Sequence, residues 1–168
     1  LEQQNEDKWH RRRGNEASVY SGLLTVLELA HKNEAVIELC NEGLKKAQNT
    51  KRGFFLGLLA QAHMALGHVT ESLAASDEAV KVADTRETVL HYRLQRAGLL
   101  SQAEKHEQAI AECQALLKDY NQPGDVHAIR LTFSSVCSAA HQYDKAEEQL
   151  VLVLKDDPDH ATANNDLG

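Results

Sequence analysis

Four short stretches decide the fold: HKNEAVIEL (His31–Leu39), GHVTESLAA (Gly67–Ala75), EKHEQAIAE (Glu104–Glu112) and HQYDKAEEQ (His141–Gln149). Each begins as a polar turn, reaches a small residue and runs on into an amphipathic segment. The small residues are Ala35, Ser72, Ala109 and Ala146, each 37 positions after the one before. A fixed period of that size marks an array of supersecondary units, none of which can bury its apolar face alone. Twelve residues ahead of each member lies a second series, Leu23, Ala60, Ala97 and Ser134, small at three of its four positions. Small residues on facing turns let two helix backbones approach closely, so each unit reads as a tight helical hairpin.

The apolar pattern around these stretches has the helical period. Leu59, Ala62 and Leu66, then Val69 and Leu73, keep the three-to-four spacing of a core-facing stripe. Phe133, Val136, Cys137 and Ala140 do the same, as do Ala146, Leu150, Val153 and Leu154. Gly67 is expected to end the helix that runs through Leu66. Asn121–Asp125, containing Pro123 and Gly124, separates the third and fourth units, and Asp157–Asp159, containing Pro158, the fourth and fifth. Asp125 and Asp159 are the expected N-caps of the helices that follow. The spacing predicts helix pairs near 16–30/33–48, 51–66/69–84, 86–103/106–120 and 125–140/143–156, with a further helix beginning near 160.

Composition agrees. Hydrophobic residues make up 42% and charged residues 26%, as in a folded rather than a disordered chain. Ala, Leu, Glu, Gln and Lys dominate, and these lose little side-chain entropy on a helix. A β-rich fold would call for more aromatic residues than the 5% present. The net charge of −7 argues against nucleic-acid binding, which needs a basic surface, and permits a basic partner. Cys40, Cys113 and Cys137 are far apart and odd in number, without CxxC spacing, and read as small buried hydrophobes. No apolar run approaches the ~20 residues that span a bilayer, so no membrane insertion is expected in this segment. Leu1–Asn5 reads like the interior of a longer protein, and a cytoplasmic setting is the default expectation.

The segment from Glu104 to Gly168 resembles the tetratricopeptide repeat family. His127–His160 has that family's usual 34-residue length, with Tyr143, Ala146, Leu150 and Pro158 at the family's places. Leu167–Gly168 matches the Leu–Gly pair of a following unit. The first three units depart from the pattern: they are three residues longer, lack the terminal Pro, and the first has Gly22–Leu23 in place of Leu–Gly. The resemblance implies an all-α fold, a right-handed superhelical array (solenoid) of antiparallel helix pairs. Residues 1–14 are expected to form an N-terminal extension or capping helix with Trp9 as its anchor. Residues 15–168 form a single array of four pairs plus the first helix of a fifth, within a longer chain.

His31, His68, His106 and His141 all fall at the turn between first and second helices. Successive units hold equivalent side chains too far apart to share an ion at ~2 Å ligand distances, and no HExxH or His/Cys cluster is present. These histidines read instead as partners of free carbonyls at helix C-termini. No metal and no cofactor is expected. There is no GxSxG, no P-loop and no GxGxxG after a strand, so no catalytic residues and no enzyme are expected. Carboxylate pairs such as Glu147–Glu148 and Asp156–Asp157 read as solvated faces, and Arg11–Arg13 as a solvated or end-capping segment.

What remains is the surface of the array. The resemblance implies that first helices line a concave groove. Projected on this chain, the groove takes Tyr20 and Leu24 from the first unit and Phe54, Leu58 and Gln61 from the second. His91 and Gln95 come from the third, Thr132 and Ser135 from the fourth. Leu24 and Leu58 also suit packing between units. Chaperone-tail-binding members of the family clamp a carboxylate with Lys, Arg and Asn, and no such set falls here; Arg93 and Arg96 are near, but by phase one or both face away. The expected function is a protein–protein interaction scaffold that binds a peptide or protein segment in this groove. The alternative is a structural self-assembly module that associates through its array ends.

Overall fold

The computed structural model describes residues 32–47 and 49–167. Among them are eight α-helices and no strand: α1 (Asn33–Lys46), α2 (Asn49–Ala65), α3 (Val69–Val82), α4 (Arg86–Gln102), α5 (His106–Asp119), α6 (Pro123–Ala139), α7 (Tyr143–Asp156) and α8 (Ala161–Leu167). The all-α expectation holds. The N-terminal extension with Trp9, the first helix with Tyr20 and Leu24, and His31 lie outside the described residues.

Three full hairpins are described, α2–α3, α4–α5 and α6–α7. Each joins a first helix of 17 residues to a second of 14. The first helices begin at Asn49, Arg86 and Pro123, so the 37-residue spacing continues into the last hairpin. The shorter 34-residue unit expected at His127–His160 is therefore not set apart in structure, because α6 begins at Pro123 and is as long as α2 and α4.

The turns inside the hairpins are one motif used three times. Gly67, Glu104 and His141, again 37 residues apart, adopt left-handed backbone with φ of 76°, 59° and 57°. In each, the next residue's N–H reaches back to the carbonyl five before it: His68 to His63, Lys105 to Leu100 and Gln142 to Cys137. The left-handed residue's own N–H bonds the carbonyl three before it, at Met64, Ser101 and Ser138. Together these bonds satisfy carbonyls that the helix end leaves free.

The two small-residue series meet where the hairpins close. Ala60, Ser72, Ala97 and Ala109 are fully enclosed, and Ser134 and Ala146 nearly so. In the first of these pairs, Ser72 Oγ donates to the Ala60 carbonyl at 2.7 Å. Around them sits the core. Val36, Cys40, Phe55 and Leu59 belong to one cluster, and Ile110, Cys113, Phe133, Val136 and Cys137 to another. Burial and the neighbouring Cys137 and Glu112 push the Cys113 thiol up to about 12, which keeps it protonated. Cys40, Cys113 and Cys137 are buried and in no disulfide, as read from their apolar surroundings.

Two expected caps are not used. Gln122 precedes α6 and Pro123 fills its first turn, where a missing N–H costs nothing, so Asp125 lies inside the helix. At α8, His160 Nδ1 accepts the Ala163 N–H at 3.3 Å, which leaves Asp159 outside the cap. A capping box appears at α4 instead: Thr85 and Thr88 each accept the other's backbone N–H at 3.1 Å.

Successive first helices touch, α2 against α4 and α4 against α6, whereas no comparable packing joins α3 to α5 or α5 to α7. Helices that touch on one side and splay on the other curve the array. The first helices therefore lie on its inner side.

Candidate functional site

The inner side is built from the exposed stripes of α2, α4 and α6. Phe54, Leu58 and Gln61 follow one another at helical spacing on α2, and His91 and Gln95 do so on α4. Leu58, Gln95 and Thr132 are 37 residues apart in turn, so stacking puts equivalent rows side by side. Phe54 is 43% exposed, a large apolar surface left uncovered. Gln61, His91 and Ser135 are exposed, and Leu58, Gln95 and Thr132 are half-buried. Leu58 packs against the core cluster beneath it, the packing role read for it from the sequence.

Gln95 is also a staple. Its Nε2 donates to the Gly57 carbonyl on α2 at 3.1 Å, while its Oε1 is enclosed with no partner among the described residues. The approach depends on glycine: a Cβ at Gly57 would stand 3.0 Å from that Oε1, and one at Gly53 would stand 2.8 Å from the Tyr92 ring. Thr132 spends its hydroxyl on the Ala128 carbonyl one turn earlier, at 3.1 Å.

Between α4 and α6 the stripes part into a cleft of about 230 Å³. Gly98, Ser101 and Gln102 line one wall, and Thr132, Ser135, Val136 and Ala139 the other. The structure thus brings Thr132 and Ser135 together and adds Gly98, Gln102 and Ala139, which the sequence reading missed. A signal for them existed. Gly98 and Gln102 continue the stripe of His91 and Gln95, and Ala139 continues that of Thr132 and Ser135, at steps of three and four.

Arg93 and Arg96 point away from the cleft. Arg93 Nε bonds Glu112 at 2.6 Å and its other end reaches Asp119 at 3.0 Å. Arg96 bonds Asp77 at 2.5 Å and reaches Glu112 at 3.4 Å. Burial alone would lower the Arg93 pKa, but its bonds to Glu112 and Asp119 outweigh that and raise it. These cations join α4 to α3 and α5 and are not free to clamp a carboxylate.

The backbone architecture has known counterparts. Two solved structures match over 90% of this chain: MamA 41-end from Desulfovibrio magneticus RS-1, at 14% identity, and the MamA RS-1 ArsTM double mutant, at 15%. The chain shares its fold with MamA. Both alignments have a TM-score of 0.62, and they cover 81% and 80% of the respective MamA chains. The tetratricopeptide-type repeat fold read from the sequence is supported by this likeness to MamA. No protein-family model matches the sequence, and no curated protein is detectably similar to it. At such identities the likeness to MamA extends to the fold and not to groove side chains.

The turn histidines are not arranged as the sequence suggested. His68 meets His63 at 3.3 Å, His106 meets the Ser101 hydroxyl at 3.4 Å, and His141 meets the Tyr143 hydroxyl at 2.9 Å. They bond neighbouring side chains rather than helix-end carbonyls, because the backbone N–H groups of the left-handed turns already occupy those carbonyls. No described helix is long and apolar enough to cross a membrane.

Proposed function

We propose that this chain is a protein-interaction scaffold that holds an extended peptide segment along the inner face of α2, α4 and α6. The observation that carries this reading is the cleft between α4 and α6, continuous in register with the exposed Phe54 and Gln61 on α2. Its walls mix apolar surface with hydroxyl and amide groups. Such a surface suits a segment bound through side-chain burial and hydrogen bonds to its backbone. Arg93 and Arg96 are committed to Glu112, Asp119 and Asp77, so a clamp on a terminal carboxylate is not the main determinant of recognition.

Gly98 gives a clean test. A Cβ there meets nothing within 4 Å, so a larger side chain fills the cleft without disturbing the helix. Peptides selected on the wild-type chain from a random display library should bind Gly98→Leu and Phe54→Ala at least tenfold more weakly, roughly 1.4 kcal/mol. Val151→Ser, on the exposed side of α7, should bind as the wild type does. Equal affinity in all four proteins would place binding elsewhere.

A second reading has its own support. Tyr143, Val151 and Leu167 are large exposed apolar residues, and all lie on the last two helices. Association of chains through that end would appear as a concentration-dependent mass in light scattering that Val151→Lys abolishes.

A further inference from the structure

The junction of α6, α7 and α8 holds a side-chain cluster that the groove does not use. His127 stands near the start of α6, Asp157 is the C-cap of α7, and His160 immediately precedes α8. One donor atom from each lies within 4.8 Å of the other two, and all three residues are half-buried. The two imidazoles meet edge to face with centroids 5.9 Å apart. His127 Nε2 is enclosed without a hydrogen-bond partner among the described residues. The carboxylate it faces, Asp156, is 3.7 Å away, too far for a hydrogen bond. An enclosed ring nitrogen with nothing to bond is an uncompensated cost in a folded chain.

We infer that His127, Asp157 and His160 form a site for a divalent transition-metal ion of the zinc class. Two imidazoles and one carboxylate are a donor set zinc accepts, with a fourth position for water or for Asp156. The histidine ladder excluded from the sequence would have drawn on several units, one side chain from each. These three donors instead open and close a single unit, and stacking returns its end to the side of its beginning. Tetrahedral ligands at about 2.0–2.1 Å from zinc stand about 3.4 Å apart. The cluster must therefore contract by up to about 1.4 Å, which Asp157 and His160 can supply because both lie in the turn between helices. Asp157, read from the sequence as part of a solvated face, is a ligand here.

Metal entry also changes the cap of α8. His160 Nδ1 accepts the Ala163 N–H over a long 3.3 Å, and a neutral imidazole has one free lone pair. The ion either takes Nδ1 directly or takes Nε2 and sends the proton to Nδ1, and in both cases this bond is given up. In exchange α8, only seven residues long, is fastened to α6.

Zinc chloride titrated calorimetrically into the whole chain, with a phosphine reductant at neutral pH, should show a saturable site. His127→Gln and His160→Gln should each weaken it at least about tenfold, since even loss of a ligand's outer partner costs about 10–100-fold. Asp157→Asn, which keeps the shape of the turn, should weaken it too, while His91→Gln on the groove should not. Circular dichroism should report unchanged helix content in every variant. Cobalt(II) should give visible d–d bands without the near-ultraviolet band of a cobalt thiolate. Absence of zinc uptake by the wild type, wild-type affinity in both histidine variants, or a thiolate band would each overturn the site.

Discussion

The α2–α3 and α4–α5 hairpins match in helix lengths and in turn, yet they are held together by different chemistry. Around α4–α5 a chain of charges runs from Asp77 on α3 through Arg96, Glu112 and Arg93 to Asp119. One period earlier, the positions of Arg93 and Glu112 are Leu56 and Ala75, both buried. One period later they are Arg130 and Gln149, joined by a neutral acceptor at 2.8 Å. Two buried apolar residues, an ion pair and a charged–neutral hydrogen bond thus occupy corresponding places in three hairpins of one geometry. What stays constant is the small pair at the hairpin contact and the left-handed residue at the turn. Those two features set the hairpin, and the side chains around them are exchangeable.

The largest expected effect breaks the charged hairpin. Glu112→Ala leaves two partly buried guanidinium groups short of their acceptor and should cost about 2–3 kcal/mol in urea unfolding, somewhat below a fully buried pair. Arg93→Leu added to Glu112→Ala copies the Leu56 and Ala75 arrangement and should recover about half of the loss. No recovery would show that the ion pair is not exchangeable. Next comes the constant element. Ala109→Leu and Ala146→Leu should each lose about 1–3 kcal/mol by overpacking the contact, while wild-type melting temperatures would refute the helix register.

A smaller effect separates the turns. Glu104 and His141 carry a Cβ in a conformation that costs about 1–2 kcal/mol for an L-residue, partly offset by the chain entropy a glycine loses on folding. His141→Gly should therefore stabilise by about 0.5–1 kcal/mol, and Gly67→Ala should destabilise by a similar amount. The smallest effect is titration of the α2–α3 turn. Burial, then the neighbouring His68, lowers the His63 pKa below its usual 6.5, against a smaller opposing pull from Glu71. The unfolded chain therefore takes the proton more readily than the folded one. Stability is kept above pH 6.5 and declines as pH falls from there through the lowered folded value. The α4–α5 turn has Leu100 at that position, and His63→Leu should flatten this part of the pH profile.

The hairpins were legible because their contact positions need small residues, and that need prints a period on the sequence. Ser72, Ala109 and Ala146, with Ala60, Ala97 and Ser134 ahead of them, located all three described hairpins. Helix starts were harder to read. Pro123 looked like a break, but at the first position of a helix it is a start, and it displaced the expected Asp125 cap. The groove residues were projected from the family resemblance, and that projection gave Gln95 no second role. Its bond to Gly57 depends on how closely α4 approaches α2, a distance set by glycines on the facing helix. The cluster at His127, Asp157 and His160 was illegible for a similar reason. Its members lie up to 33 residues apart, and only the stacking of one helix pair on the next unites them.

The most direct test of the scaffold reading is a nitrogen-15 correlation spectrum of the chain, recorded as a selected peptide is titrated in. Shift changes should concentrate at Phe54, Gln61, His91, Gly98, Gln102 and Ser135, on three helices that are distant in sequence. Changes confined to Tyr143, Val151 and Leu167, with broadening that grows with protein concentration, would contradict the groove and favour association through the array end.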